Sequence, residues 1–489
     1  MHSFKHFLVV PLSLFLNIVL AQNYQAIHGS SYAGSLGVGS NPASIVHVPY
    51  AWDITPFSVQ FKQATNAVKI DKFSLLSSPS AAEVSAATGN KKRFVYANQD
   101  IRLLNTRINL NAKTAIAFGA NIRNYVYANV SGANWQDTLQ YFRDFLEINV
   151  GNLPFNGQSV GSTWGEVYAS YAHTIIDDGD KLLNAGITLK VTRALAGGYA
   201  KAQSVNYSAS TDVNTPGYML LNGNLVYGYS SNFDNIKSGN SFKANRNIFL
   251  QKTYSGISAD FGVEYILLTN EDKEEGGEFA YETKLGVSML DVGMNKFRYG
   301  SQSRLALAGK TGITDTLLQD KFSSVTSFSS FNDSLAGIAG SFTNVSGPFH
   351  IYQPARVVIN VDQHVLHNIF INAELIIPIL PVVAKNSLYL KDMNLLAITP
   401  RWELKALGAY LPVLVNNQKQ VWVGGAIKAG PILLGTHNLA NIFAKNKTQN
   451  GGLYLALTIR PGKKYDRQGH YPKDKLPGKG KGSVECPKF

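Results

Sequence analysis

The chain has 489 residues, of which only 16% are charged, and its mean hydropathy is −0.06. Soluble globular chains average about 25% charged residues, while a mean hydropathy near zero excludes a bundle of apolar membrane-spanning helices. The single cysteine, Cys486, excludes a disulfide framework and any multi-cysteine metal or iron–sulfur site. Low charge without apolar bulk is typical of a sheet that faces lipid on one side and water on the other.

The N-terminus has the pattern of an export signal. Lys5 precedes an almost wholly apolar stretch over 7–20, and Ala21 is the small residue that a signal peptidase requires. We therefore expect a cleaved signal peptide over 1–21. The alternative is a retained anchor helix, which is disfavoured because the apolar stretch is short for a membrane span.

The rest of the chain repeats a period of two. Between Ile257 and Leu267, apolar residues at odd positions alternate with Ser258, Asp260 and Glu264, so a strand here has one apolar and one polar face. A β-sandwich also alternates, but its strands average about 5–6 residues. The runs in this chain reach roughly 9–15 residues, the length of a tilted strand that crosses a bilayer. The sequence therefore predicts an all-β protein, a single antiparallel transmembrane β-barrel over 51–461.

The turns between these runs give the number of strands. Short turns alternate with long polar segments, as in outer-membrane barrels with short periplasmic turns and long extracellular loops. A further hairpin near Tyr218–Tyr229 raises the predicted number from twelve to fourteen, and either even number places both termini in the periplasm. The twelve predicted strands lie near 54–69, 101–110, 113–127, 164–176, 184–203, 255–268, 280–297, 353–363, 368–381, 395–412, 420–435 and 451–461.

The alternation also predicts which charged side chains face the lumen. Opposite charges either pair across the lumen and rigidify a plugged barrel, or line a pathway of mixed charge for a small solute. The sequence leaves both interpretations open. The sixteen predicted lumen-facing charges are Lys62, Arg107, Arg123, Glu166, Lys190, Asp260, Glu264, Lys284, Arg356, Asp362, Glu374, Arg401, Glu403, Lys405, Lys428 and Arg460.

The C-terminal segment 462–489 is basic and rich in proline and glycine. It contains eight Lys or Arg and three acidic residues, a large part of the net charge of +13. Proline and glycine disfavour a helix or strand here, so we expect a basic periplasmic tail. No nucleic-acid-binding motif or aromatic platform accompanies it, and we expect no nucleic-acid partner.

The sequence contains no convincing catalytic or metal-binding motif. There is no nucleophile elbow or P-loop, and the glycines of 34–39 precede a strand rather than a helix. His364 and His367 flank a predicted tight turn, where a solvated turn explains them better than a metal site. We expect no enzymatic activity, no cofactor and no metal.

The segment Gly29–Asp53 carries a resemblance. It reads GSSYAGSLGVGSNPASIVHVPYAWD, a Gly- and Ser-rich stretch followed by Asn41, Pro42 and Ala43 and then the first predicted strand. This order resembles the start of the long-chain fatty-acid transporter superfamily of outer-membrane barrels, which includes accessory barrels of the Bacteroidota type IX secretion system. The resemblance implies that 22–50 forms an N-terminal hatch inside the lumen, with Asn41-Pro42-Ala43 as its motif.

Later segments resemble one family more closely. Lys284–Gly293, Tyr352–Pro354, Thr399–Trp402 and Lys428–Gly435 are similar to strands of a Bacteroidota outer-membrane barrel family, domain-of-unknown-function family 5723. The resemblance to this family implies an outer-membrane protein, and the resemblance to the fatty-acid transporter superfamily implies a passive channel for small amphipathic or hydrophobic solutes. The alternative is an accessory or scaffold barrel that binds other envelope proteins, for example in a type IX secretion complex. The sequence identifies neither solute nor partner.

Overall fold

Long antiparallel strands make up most of the chain. The computed structural model describes residues 25–461 except 73, 75–81, 212–215, 237–238, 240, 252, 270–279, 309, 381–386 and 444–448. The predicted signal peptide 1–21 and the predicted tail 462–489 lie outside the described residues.

The strands are numbered in chain order: β1 Trp52–Thr65, β2 Val68–Asp71, β3 Glu83–Ala86, β4 Gly89–Asn111, β5 Thr114–Trp135, β6 Phe155–Asp177, β7 Lys181–Ala209, β8 Tyr218–Tyr229, β9 Ser255–Leu268, β10 Tyr281–Arg298, β11 Arg304–Ala308, β12 Ala339–Asn344, β13 Pro348–Tyr352, β14 Arg356–Leu366, β15 Ile369–Pro378, β16 Leu388–Tyr389, β17 Leu395–Glu403, β18 Leu407–Tyr410, β19 Val413–Asn416, β20 Val421–Val423, β21 Gly425–Ala429, β22 Ile432–Thr436, β23 Asn450–Gly451 and β24 Leu453–Ile459. The α-helices are α1 Phe142–Glu147, α2 Phe242–Leu250, α3 Asp315–Ser323, α4 Phe328–Ile338 and α5 Ala440–Phe443. Within the described residues, short 3-10 helices cover Gly34–Gly39, Pro42–Ile45, Val150–Asn152 and Ser231–Asn235.

The strands close into one antiparallel barrel. The chain of pairings starts at β1, passes through β4 and returns through β24 to β1. Three barrel strands are each built from two segments, namely β13 with β14, β18 with β19, and β20 with β21. The barrel has fourteen strands, so the predicted antiparallel barrel of twelve to fourteen strands is confirmed. We call the end with the short turns the turn end, and the opposite end the loop end.

The predicted origin of the two extra strands is wrong. β8, the predicted hairpin region, pairs with β7 and β11 outside the closed ring. The extra strands arise because 395–412 and 420–435 each contain an unrecognised turn at the turn end. In the first, Leu404 N donates to Leu407 O at 2.8 Å, and in the second, Gly430 adopts a left-handed φ of 55°. Apolar and polar residues continue to alternate through 404–406, so the sequence pattern does not indicate the first turn.

The alternation places apolar side chains outside and polar side chains inside. In β9, Asp260 and Glu264 are buried in the barrel, whereas Ile257 points outward and is 79% exposed. Successive strand residues face opposite sides of the sheet, so this pattern repeats around the ring. Among the described helices, none combines the length and apolar character that crossing a membrane requires.

A small module extends from the loop end. The upper part of β7 continues into β8, β11 and β12, and α3 and α4 pack around Tyr227, Phe322 and Leu335. Arg143 of α1 binds the module through Asp315, with Nε donating to Oδ2 at 2.7 Å. Burial raises the pKa of Asp315, but hydrogen bonds from Arg143 and from the Thr316 and Tyr218 amides, together with the charge of Arg143, hold that pKa below its ordinary value.

Candidate functional site

Residues 25–50, which we call the lumen segment, lie inside the barrel. Nearly all of them are buried, and they contact opposite sides of the wall. The Ser35 amide donates to Asp53 Oδ1 at 2.7 Å on β1, and Asn41 Nδ2 donates to the Val263 carbonyl at 3.0 Å on β9. The lumen segment covers the predicted hatch 22–50 apart from 22–24, which lie outside the described residues.

The Asn41-Pro42-Ala43 motif forms the tightest contact of the lumen segment with the wall. Asn41 caps the second 3-10 helix, because its Oδ1 accepts from the Ala43 amide at 2.9 Å. Pro42 suits the first helical position, where no amide donor is needed. A Cβ on Gly186 would lie 2.6 Å from Ala43 N. Residue 186 of the wall is therefore glycine, because a side chain there would prevent the backbones of β7 and the lumen segment from approaching each other this closely.

Charged wall residues bind the lumen segment along its length. Apart from the His28 imidazole, these contacts use carbonyl oxygens and small hydroxyl side chains of the segment, which can reach the wall without filling the lumen. The contacts are His28 Nδ1 with Glu374 Oε2 at 2.6 Å, Ser30 Oγ to Glu403 Oε2 at 2.6 Å, Lys284 Nζ to Ser31 Oγ at 2.7 Å, Arg102 Nη1 to Leu36 O at 3.0 Å, Arg107 Nη1 to Ile45 O at 3.0 Å, and Arg460 Nη2 to Tyr32 O at 2.7 Å.

Asp291 is the centre of a buried charge network, which we call the Asp291 network. Arg123 Nη2 donates to its Oδ2 at 2.9 Å, Lys190 Nζ to its Oδ1 at 2.7 Å, and Arg356 Nη1 also donates to its Oδ2. Lys190 also contacts Asp260 at 2.8 Å. Three cations thus surround one carboxylate in the middle of the lumen, where removing one partner leaves buried charge uncompensated.

A second network lies nearer the turn end. Glu403 accepts hydrogen bonds from Ser30, Lys428 at 3.0 Å and Tyr410 at 2.6 Å, and Arg401 Nε lies 3.2 Å from it. Arg401 also donates to both carboxylate oxygens of Asp362. This network joins strands β14 to β21 and includes a residue of the lumen segment, so it connects the wall with the segment.

A small cavity lies between the lumen segment and the wall. Val38 and Gly39 of the lumen segment form one side of it. The other sides carry side chains of both charges and few apolar groups, so the cavity suits a solute that makes hydrogen bonds. Its wall residues are Asp100, Arg102, Asn105, Asn121, Arg123, Glu166, Tyr168, Thr188, Lys190, Asp260, Leu290, Asp291 and Arg356.

Fourteen of the sixteen predicted lumen charges are buried in the barrel interior. Arg460 follows β24 and is half-buried at the turn end, where it reaches Tyr32. Lys405 is the exception, because it lies exposed in the turn between β17 and β18. The prediction for Lys405 is wrong, since a strand that turns at Leu404 no longer alternates beyond that residue.

Among the described residues, Asp53, Asp100, Arg102, Asp291 and Asp392 are lumen charges that were not predicted. Broken alternation explains Arg102, Asp291 and Asp100, the last of which lies one residue before the predicted strand 101–110. Leu104 adopts a φ of 51° at a bulge in β4, so inward positions are even-numbered before it and odd-numbered after it. This change of parity places Asp100 and Arg102 inside. Asp291 also has a positive φ, 58°, beside a bulge in β10. Positive φ in non-glycine residues is uncommon and has no reliable sequence signal.

The other two lie outside the predicted strands. Asp53 is the second residue of β1 and lies one residue before the predicted start, and Asp392 belongs to a loop that folds inward from the loop end. Asp53 binds Arg107 Nε at 2.6 Å, and Asp392 accepts from Asn98 Nδ2 at 3.3 Å. The sequence offered one indication of Asp53: an arginine predicted to be buried, Arg107, requires an acidic partner.

Comparison with known proteins identifies the family. The model of a family of unknown function, DUF5723, matches residues 42–437, most of the barrel. The chain belongs to this family. No curated protein matches the sequence.

Solved structures similar to this DUF5723 chain are barrels of low sequence identity. The TodX deltaS2S3 mutant monoaromatic hydrocarbon channel shares 9% identity at a TM-score of 0.41, covering 90% of this chain and 99% of its own. The Ralstonia pickettii toluene transporter TbuX shares 9% at 0.38, covering 87% and 94%. A Pseudomonas aeruginosa FadL homologue shares 9% at 0.37, covering 90% and 98%. The barrel described above follows from the strand pairings of this chain alone.

The tyrosines of the lumen segment in this DUF5723 chain stay protonated. Burial, followed by the charge of Glu403, raises the pKa of Tyr32 well above its ordinary value, and burial also raises the pKa of Tyr50. Cations lie over both rings, with Lys428 Nζ 4.4 Å from the Tyr32 ring and Arg460 Cζ 5.5 Å from the Tyr50 ring. These contacts fix the segment's position at the turn end. The described residues contain no group of three or more His, Cys, Asp or Glu suited to a metal ion.

Proposed function

We propose that this protein is a passive channel of the outer membrane for small amphipathic solutes, and that the lumen segment closes it in the described state. The observation that carries the proposal is that hydrogen bonds and ion pairs to the wall hold the lumen segment across the barrel, together with two small apolar clusters. Each such bond contributes about 0.5–1.5 kcal/mol net, because water can replace it. Bonds such as Ser30 to Glu403 and Asn41 to Val263 therefore permit the segment to move.

The outer surface supports a location in a membrane. Large apolar side chains point away from the barrel on strand after strand, and a surface of this extent in water would favour aggregation. The ring also leaves no unpaired sheet edge, which the apolar bilayer interior requires. We propose that both termini of the barrel are periplasmic. Examples of outward apolar residues are Val167, Leu189, Val191, Ile257, Val263, Leu285, Val287 and Ile427.

Flux through liposomes that contain the purified full-length protein tests the proposal. Methyl glucoside is a suitable probe, since it is small, amphipathic and crosses lipid slowly. We expect methyl glucoside to enter these liposomes faster than protein-free liposomes, while a large sugar such as raffinose enters both at the same rate. Equal methyl glucoside entry in both preparations would contradict the proposal.

A scaffold function is the second candidate, and the module at the loop end favours it. This module, formed by β8, β11, β12, α3 and α4, is a folded extension with its own apolar core. A path for a small solute does not require such an extension. Purification from native membranes separates the candidates. Stoichiometric partner proteins together with no methyl glucoside flux would favour the scaffold. Neither a channel nor a scaffold catalyses a reaction, so we propose that this protein is not an enzyme.

A further inference from the structure

Buried polar atoms without hydrogen-bond partners are concentrated on one wall of the lumen. β1 and β4 pair so that Ser58 faces Arg102, Gln60 faces Asp100 and Lys62 faces Asn98 on three successive inward positions. Among the described residues, Ser58 Oγ, Gln60 Oε1, Lys62 Nζ, Asn98 Oδ1 and Asp100 Oδ1 have no hydrogen-bond partner. We call the side chains of Ser58, Gln60, Lys62, Asn98 and Asp100 the β1–β4 track.

The facing wall differs. There the carboxylates of Asp291, Asp362 and Glu403 each accept several hydrogen bonds from cations. Ser288, a serine of that wall, donates to the Ser40 carbonyl at 2.6 Å. The facing wall is therefore rich in ion pairs and bound to the lumen segment. The β1–β4 track pairs Asp100 Oδ2 with Arg123 Nε at 2.8 Å, and within the described residues it also offers donors and acceptors without hydrogen-bond partners.

Lys62 is the residue of the β1–β4 track whose burial is least favourable. Its side chain is almost fully buried, with 2% of the residue exposed, and within the described residues its ammonium has neither a hydrogen bond nor an ion pair. Burying an unpaired charge is strongly unfavourable. Gln60 does not relieve it, because Gln60 Oε1, the acceptor of that side chain, makes no hydrogen bond, and its amide nitrogen, a donor, lies 3.0 Å from His437 Nε2. A polar solute or water at the track is needed to compensate this charge.

The β1–β4 track joins two other parts of the lumen. Asp100 and the nearby Asn105 and Asn121 line the cavity beside the lumen segment. Toward the loop end, the next inward-facing residue after Lys62 is Ala64, which belongs to an apolar cluster with Tyr96 and Leu290. The track therefore links the cavity with an aromatic and aliphatic region above it.

We propose that the permeation path follows the β1–β4 track and selects small hydroxylated solutes without net charge. This inference rests on the proposed function and specifies its path and solute class. Lys62 and Asp100 of the track and Arg102, which faces Ser58, alternate in sign, so a charged solute meets a like charge within two steps. An uncharged hydroxyl group donates and accepts, and it satisfies the free atoms of both kinds. Leu290 and Val38 border the cavity and contact the apolar side of such a solute.

Labelling of introduced cysteines tests the path without requiring flux. In a Cys486→Ser background, Ser58→Cys and Gln60→Cys place thiols on the track, and Ser288→Cys places one on the facing wall at similar burial. The probes are 2-hydroxyethyl, 2-sulfonatoethyl and 2-(trimethylammonio)ethyl methanethiosulfonate, with each rate divided by that of the probe with a free thiol in solution. Heat-modifiable migration on gels checks that each variant folds.

We expect the hydroxyethyl probe to label both track positions at least about tenfold faster than position 288, because a locked site reacts only through rare opening. We also expect both charged probes to label position 60 more slowly than the neutral probe. Equal rates at 58, 60 and 288 would overturn the path, and equal rates for all three probes would overturn the solute class.

The outcomes separate this inference from the proposed function. Selective labelling of the track without methyl glucoside flux would refute the channel and leave a hydrated crevice along β1 and β4. Methyl glucoside flux without selective labelling would support the channel and overturn the β1–β4 track as its path.

Discussion

Deletion of residues 26–48 is expected to increase methyl glucoside flux through the reconstituted barrel by about tenfold or more. A fourteen-stranded barrel is too wide for its own side chains to fill, so removing the lumen segment opens a water-filled passage. The wall residues that it covered, such as Glu374 and Lys284, are charged and become hydrated. The deletion also exposes a small apolar part of the wall around Ala117, Leu433 and Tyr454, which the lumen segment covers.

A deletion of equal length at the C-terminus, residues 467–489, is the matched control, and we expect it to leave flux unchanged. Heat-modifiable migration shows whether each deletant is folded. A folded 26–48 deletant with the flux of the full-length protein would show that the lumen segment does not close the barrel.

Asp291→Asn is expected to destabilise the barrel by about 3–5 kcal/mol, the usual effect of removing one partner from a buried ion pair. The substitution preserves shape, and asparagine tolerates the positive φ at this position. It changes only the charge, and Arg123, Lys190 and Arg356 then lie together without their shared carboxylate. Denaturant unfolding of the protein in detergent, followed by circular dichroism, measures the change in free energy.

Asp178→Asn is the control for this variant. Asp178 is exposed in the turn after β6, where its Oδ1 accepts from the Lys181 amide at 2.7 Å, and asparagine keeps that acceptor. We expect little change in stability. If Asp291→Asn lowers the free energy of unfolding no more than Asp178→Asn does, the Asp291 network contributes little to the stability of the barrel.

The sequence was sufficient for the architecture because alternation is a local property. In β9 each residue between Ile257 and Glu264 has the inward or outward position that its polarity predicts. Bilayer thickness explains the strand length and barrel closure explains the even strand number, so neither required a contact map.

The sequence failed where the backbone departs from regular strand geometry. The bulge at Leu104 reverses the parity of β4, and no residue type announces it. The turn at Leu404 lacks glycine and asparagine, so Lys405 was placed on a strand that had already ended. Both errors concern positions where tertiary pairing, rather than local preference, determines the conformation.

The partners of lumen charges also lay beyond the sequence. Arg123 and Asp291 are 168 residues apart and meet only because the sheet closes into a ring. Likewise, the free atoms of the β1–β4 track are recognisable only after the partners of every neighbouring side chain are known. The pattern predicts which strand residues face inward, but pairing across the lumen depends on register and on bulges.

The central claim is that movement of the lumen segment opens the barrel, and a reversible cross-link tests it most directly. Ser35 Oγ of the segment lies 2.9 Å from Thr55 Oγ1 of β1, so Ser35→Cys combined with Thr55→Cys in the Cys486→Ser background places two thiols within reach of a disulfide. We predict that oxidation of this variant stops methyl glucoside flux and that a reductant restores it, while the single variant Ser35→Cys conducts under both conditions. Equal flux through the oxidised, cross-linked protein and its reduced form would contradict the account.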